Sequence, residues 1–138
     1  MIHIGQRDEE EARSYNTTDI RDTGIRVYDL AQIRAAGLET ISADVIRRIH
    51  ELPVAGCWIH LDTDVISDEE NPAVDYRLPG GLNFDEVTSL LTTLLHTGRI
   101  AGMSISIFNP SLDKTGEIAH RITGCILDSF STLNYRAK

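Results

Sequence analysis

Short apolar runs alternate with amphipathic stretches along the whole chain. Met1 to Gly5 reads as a strand that begins without a lead-in, an opening that points to truncation, and Arg7 to Ile20 is polar with no clear period. Gly24 to Leu30 (GIRVYDL) predicts a second strand. Ser42 is placed to cap a helix reaching about Glu51, because Val45, Ile46 and Ile49 recur on one helical face, and Pro53 ends it. Gly56 to Asp62 (GCWIHLD) has the length and apolar character of a strand covered on both faces, and it leads directly into acidic residues.

The second half repeats the alternation with clearer punctuation. Asn83, with Glu86 three residues later, is the pattern of a capping box, and Phe84, Val87, Leu90, Leu91, Leu94 and Leu95 form the stripe of the helix that follows until Gly98 stops it. Ile100 to Phe108 predicts a strand ending at Asn109-Pro110, and Thr115 to Phe130 a last helix with Ile118, Ile122, Ile126 and Phe130 on a common face. The order β-β-α-β-α-β-α predicts an α/β fold: a mainly parallel sheet between helices in three α/β/α layers, present as a partial or half domain over residues 1–138. Ligands of such sheets gather at the carboxyl ends of the strands.

Composition removes several classes of function. The net charge of −8 comes with Arg and Lys spread along the chain, Arg47-Arg48 being the longest run, so no basic stripe is available to neutralise a phosphate backbone, and nucleic acid is excluded as a partner. No stretch approaches the length of a membrane span, and the N-terminus lacks the pattern of a signal peptide. Cys57 and Cys125 lie far apart inside apolar segments, where free thiols pack as small hydrophobes, so the expected compartment is a reducing cytoplasm.

The chemistry concentrates at the end of the third strand. His60, Asp62 and Asp64 are spaced by two, so their side chains share one side for as long as the backbone stays extended. Two carboxylates at a strand end suit a hard cation such as Mn²⁺ or Mg²⁺; a solvated loop entry or a helix-capping pair is the other reading of the same residues. His50, His96 and His120 fall on predicted helices without metal-ligand spacing and read as surface residues. Gly80-Gly81 is too short to cradle a phosphate and reads as a tight turn into the next helix.

From Asp62 to Leu82 the run DTDVISDEENPAVDYRLPGGL resembles the signature of the ureohydrolases (arginase, agmatinase, formimidoylglutamase), in which D-x-D-x-x-D-P precedes a loop and P-G-G-L. The Asn83 helix, the Asn109-Pro110 strand end and the final helix follow that family's order, so the resemblance is to the C-terminal portion of an arginase-like fold. It implies that Asp62 and Asp64 are ligands of a manganese pair. It also implies attack of a metal-bridging hydroxide on a guanidino or amidino carbon, with metal electrostatics as the main source of rate. No catalytic side chain is assigned in this chain.

The departures from the family are specific. Its remaining ligands come from G-G-D-H and D-A-H-x-D motifs, and neither occurs in these 138 residues, so metal held by this chain alone is expected to be weak. Ser67-Asp68 stands where the family has Asp-Pro, and Asp68, Glu69 and Glu70 read as a solvated acidic loop. Ile107 occupies the position, two before Asn-Pro, of the Glu that pairs with the cationic substrate in arginases and agmatinases. His60 stands where arginases carry a small hydroxyl residue; it reads either as a satisfied, partly buried histidine or as a donor to an aspartate ligand.

Two functions follow. The chain is part of a manganese-dependent hydrolase of guanidino or amidino C–N bonds, inactive in isolation, or it is a catalytically silent arginase-fold domain used for binding or assembly. Both expect a partner, a second copy or a complementary N-terminal half, because a cut parallel sheet exposes unpaired edge amides.

Overall fold

The computed structural model of the chain describes residues 1–15, 17–131 and 133. Among the described residues four strands form two parallel pairs: β1 (Ile2–Gln6) lies beside β2 (Arg26–Asp29), and β3 (Cys57–Asp62) beside β4 (Ile100–Ser106). The α-helices that connect or follow them are α1 (Glu9–Ser14), α2 (Leu30–Ala36), α3 (Leu38–Glu51), α4 (Phe84–Leu95) and α5 (Glu117–Ser131). Parallel neighbours need a crossover between them, and here α1 lies in the β1–β2 connection and α4 in the β3–β4 connection. The mainly parallel α/β architecture is the one predicted. Its strands stand in two separate pairs, and β1 and β3 share no ladder.

Helix boundaries are set by caps. At α4 both halves of the predicted capping box are formed: Glu86 N donates to Asn83 Oδ1 at 2.7 Å and Asn83 N to Glu86 Oε2 at 2.8 Å. Helix α2 was not legible from the apolar pattern, yet Asp29 and Gln32 make the same reciprocal cap at its start. Ser42 caps nothing; α3 begins four residues earlier at Leu38, after Gly37 at φ +84°, and Ser42 is buried inside it. The positive φ at Gly37 separates α2 from α3, a break that the spacing of Val45, Ile46 and Ile49 does not encode.

One apolar cluster joins the two halves. Tyr28, Ile33, Ile41, Val45 and Ile49 meet Leu61 of β3, Val87, Leu91 and Leu94 of α4, and Ile122 and Cys125 of α5. Each fully buried aliphatic side chain contributes roughly 1.5–3 kcal/mol relative to exposure, so this cluster is what holds the two strand pairs in one body. Cys57 and Cys125 are both free thiols, Cys125 buried as expected. Among the described residues no helix is long and apolar enough to cross a membrane.

Strand β3 departs from the expectation of cover on both faces. Ile59 and Leu61 enter the core with Met103 of β4, whereas Trp58 and His60 alternate outward and are exposed, Trp58 to 64%. The apolar run GCWIHLD therefore contains one core face and one open face within this chain.

Candidate metal centre

Asp62 is the last residue of β3, and Thr63–Val65 turns as one 3-10 step, closed by Ile66 N donating to Thr63 O at 3.2 Å. Asp62 thus ends an extended segment while Asp64 lies inside the turn, so the period-two projection of His60, Asp62 and Asp64 stops at Asp62. The two carboxylates still repel each other. Burial first, and Asp62 second, push the Asp64 carboxyl above the usual carboxylate range, against the pull of Arg7.

The turn is held from three directions. Asn71, fully buried, donates Nδ2 to Thr63 O at 2.7 Å and accepts Ala73 N at 3.3 Å. Arg7 reaches from beyond β1 to donate to Asp64 O at 2.6 Å. On the far side, Leu82 N donates to Val65 O at 2.9 Å and Ser67 N to Leu82 O at 2.7 Å, a short parallel bridge. That bridge explains the Gly81 position: at φ +124° a Cβ there would lie 2.7 Å from Ser67 N and Cα, so the backbones approach only without a side chain.

The end of β4 is tied to the same loop. Asn109 N donates to Ala73 O at 2.8 Å and Asn109 Nδ2 to Asp75 Oδ1 at 2.5 Å, so the segment from Asn71 to Asp75 connects both strand ends. β4 stops at Ser106 because Ile107 adopts φ +76°, a left-handed conformation that is an outlier for a β-branched residue. Its side chain is 47% exposed at the position where the family signature has an acid. Backbone strain of this kind concentrates at functional sites and is maintained by surrounding contacts.

His60 is satisfied, but not by burial. Its side chain is 58% exposed; Nδ1 lies 2.7 Å from Ser104 Oγ, and Nε2 lies 3.1 Å from Asp62 Oδ1 and 3.2 Å from Ser106 Oγ. Ser106 also donates to Asp62 Oδ1. The acidic loop is less solvated than its composition implies: only Glu69 is exposed, while Asp68 pairs with Arg77 and Glu70 accepts Phe84 N at 2.8 Å and faces Arg121. Arg77 lies nine positions from Asp68, and Arg121 lies 51 from Glu70, outside the reach of a local charge argument. His50, His96 and His120 are exposed, as predicted.

Sequence reasoning missed Asn71, Arg7, Ser104 and Ser106. A polar residue before Pro72 reads as a turn former, and nothing local reveals that its partner is the carbonyl between the two aspartates. The serines were discoverable in principle, since parallel pairing sets Ser104 opposite His60 and Ser106 opposite Asp62 once the register is known. Among the described residues no group of three or more His, Cys, Asp or Glu side chains is placed to hold a metal ion. Asp62 and Asp64 by themselves fall short of such a group.

The fold has counterparts among solved structures. The chain superimposes on arginase from Bacillus caldovelox with a TM-score of 0.81 at 24% identity, covering 96% of this chain and 43% of that one. Formimidoylglutamase from Bacillus subtilis gives a TM-score of 0.71 at 21% identity, covering 97% and 42%. In sequence, the chain is 29% identical to the arginase of Plasmodium falciparum (isolate 3D7) over 128 residues, which make up 91% of this chain and 30% of that protein. The chain therefore spans about a third of the curated relative's length. The profile of the arginase family matches residues 1–130, a span that contains all four strands, the Asp62-Thr63-Asp64 turn and the Pro79-Gly80-Gly81-Leu82 bridge, and the chain belongs to the arginase family.

Proposed function

We propose that this chain contributes Asp62 and Asp64 to a binuclear Mn²⁺ site of a hydrolase acting on guanidino or amidino C–N bonds, with the remaining ligands supplied by residues outside these 138. The observation that carries the reading is the pair of carboxylates at the carboxyl end of β3, where burial and Asp62 together disfavour the charged form of Asp64. The donors fit a hard divalent cation in kind, because a cation would relieve the repulsion between them. They fall short in number. When bound, the metal pair would supply Lewis-acid activation of water.

The chain's own residues have simpler tasks. Asp62 and Asp64 hold negative charge at the strand end, and Asn71 and Arg7 fix the turn between them through its carbonyls. Ile107 offers no charge to a cationic substrate and presents an apolar, half-exposed side chain instead, which favours a substrate other than arginine or agmatine. The same observation supports the second reading, a catalytically silent domain used in assembly. The two unpaired thiols support a reducing, cytoplasmic location.

Titration calorimetry tests the proposal directly. Mn²⁺ binding to the chain is expected to be weak and to disappear in Asp62→Ala; tight binding indifferent to that change would refute the assignment. No urea is expected from arginine or agmatine with the chain alone. Turnover that requires Mn²⁺ and is abolished by Asp64→Ala would exclude the silent-domain reading.

A further inference from the structure

Along the open face of β3 and β4 the parallel register sets Trp58 opposite Gly102, His60 opposite Ser104 and Asp62 opposite Ser106. These residues are joined by an unbroken run of side-chain hydrogen bonds. Trp58 Nε1 donates to Ser104 Oγ at 3.1 Å, Ser104 Oγ meets His60 Nδ1 at 2.7 Å, and His60 Nε2 meets Ser106 Oγ at 3.2 Å and Asp62 Oδ1 at 3.1 Å. Ser106 closes the run by donating to Asp62 Oδ1. Gly102 makes room at the start: a Cβ there would fall 2.3 Å from the indole ring, so any other residue would displace Trp58 from its place.

The two ends give this run a direction. An indole N–H only donates and a carboxylate only accepts. Because Asp62 Oδ1 offers no proton, His60 Nε2 must carry one, and in the neutral ring Nδ1 is then an acceptor. Ser104 fills it with its O–H while its oxygen accepts the indole N–H. Ser106 in turn accepts from His60 and donates to Asp62. Two donors therefore converge on Oδ1 of Asp62, and Oδ2 has no hydrogen-bond partner among the described residues.

We propose that His60 and Ser106 are positioning residues that fix the plane of the Asp62 carboxylate, with Ser104 and Trp58 locking the His60 ring in its Nε2–H tautomer. The proposal rests on the reading of Asp62 as a cation ligand. It assigns a role to the residue that replaces the small hydroxyl side chain usual in arginases. Partners of this kind, which hold a ligand without touching the metal, are worth about 10–100-fold in metal affinity. They add little to stability on an exposed face, where a hydrogen bond to protein replaces one to water.

The test has two arms, both on the 138-residue chain. In the first, side-chain ¹⁵N spectra of His60 are recorded without metal at neutral pH. A protonated Nε2 with an accepting Nδ1 is expected, and Ser104→Ala should erode that preference. An Nδ1–H tautomer, or an even mixture in the unaltered chain, would overturn the ladder. In the second, Mn²⁺ affinity is measured by calorimetry. His60→Ala and Ser106→Ala should each weaken it about 10-fold or more, Ser106→Thr should restore it by keeping the hydroxyl, and thermal midpoints should not move. Unaltered affinity in both alanine variants, with Asp62→Ala abolishing binding, would refute positioning while leaving the ligand assignment intact. If the unaltered chain binds no Mn²⁺, the cation reading fails, and the tautomer measurement alone decides the ladder.

Discussion

Replacing Asn71 by Ala should be among the most damaging single changes in this chain, although Asn71 lies in a loop. Its side chain is fully buried, and two hydrogen bonds depend on it: 2.7 Å to Thr63 O and 3.3 Å from Ala73 N. Loss of the first removes about 1 kcal/mol net, and Thr63 O keeps the Ile66 amide as a partner. Loss of the second leaves the amide of fully buried Ala73 without an acceptor, for about 1–3 kcal/mol more. With an allowance for the vacated volume the expected destabilisation is about 3 kcal/mol, a large share of the 5–15 kcal/mol typical of a domain, and a fall in Tm of about 10 °C. Urea unfolding followed by far-UV circular dichroism measures it, with Glu69→Ala, an exposed neighbour, as a control expected within about 0.5 kcal/mol of the parent. Mn²⁺ binding should weaken as well, because the lost bond holds the carbonyl between the two aspartates. A destabilisation below about 1 kcal/mol would show that the Asp62–Asp64 turn does not depend on this contact.

Two further outcomes follow from the same geometry. The Asp64 carboxyl is held above its unfolded value of 3.8 by burial and by Asp62, so the folded state binds its proton more readily than the unfolded state. Above the folded pKa this group opposes folding in full, and the penalty fades as pH falls through the folded pKa toward 3.8. Asp64→Asn should therefore stabilise the metal-free chain at pH 7 while abolishing Mn²⁺ binding, and the gain should shrink at acid pH; equal or lower stability at pH 7, by urea melts with chelator, would contradict the sign. The open face carrying Trp58 and the separated strand pairs lead us to expect self-association or pairing with a complementary half, and a strictly monomeric sedimentation profile across micromolar concentrations would rule out the former.

Much of this was written in local patterns. The stripe from Phe84 to Leu95 needed only helical periodicity, and the Asn83 and Glu86 cap only the three-residue spacing that lets each side chain reach the other's amide. Asp62, Asp64 and the Pro79-Gly80-Gly81-Leu82 turn were recognisable as a motif, and Gly81 shows why its spacing matters: a backbone must pass against Ser67 where no Cβ fits. Local patterns failed where the outcome is decided outside the few residues that a pattern spans. Ser42 has the chemistry of a cap, but the break at Gly37 starts the helix earlier and packing turns Ser42 inward. Asp68 and Glu70 look solvated until Arg77 and Arg121 are brought to them.

The sequence by itself determined strands β1 to β4, the stripes of α3, α4 and α5, the parallel α/β class and the two carboxylates at a strand end, because each rests on interactions within a few residues or on a period along one element; α1, between β1 and β2, and α2 lay outside the predicted order. Only the tertiary structure decided how those carboxylates are held. Arg7 lies 57 positions from the carbonyl it binds, and His60 and Ser106 lie 46 apart yet meet at Asp62, since a parallel register joins residues across an entire crossover. The open face beside them was equally hidden: an apolar strand reads the same whether one side or both are covered, and only the placement of the helices shows which.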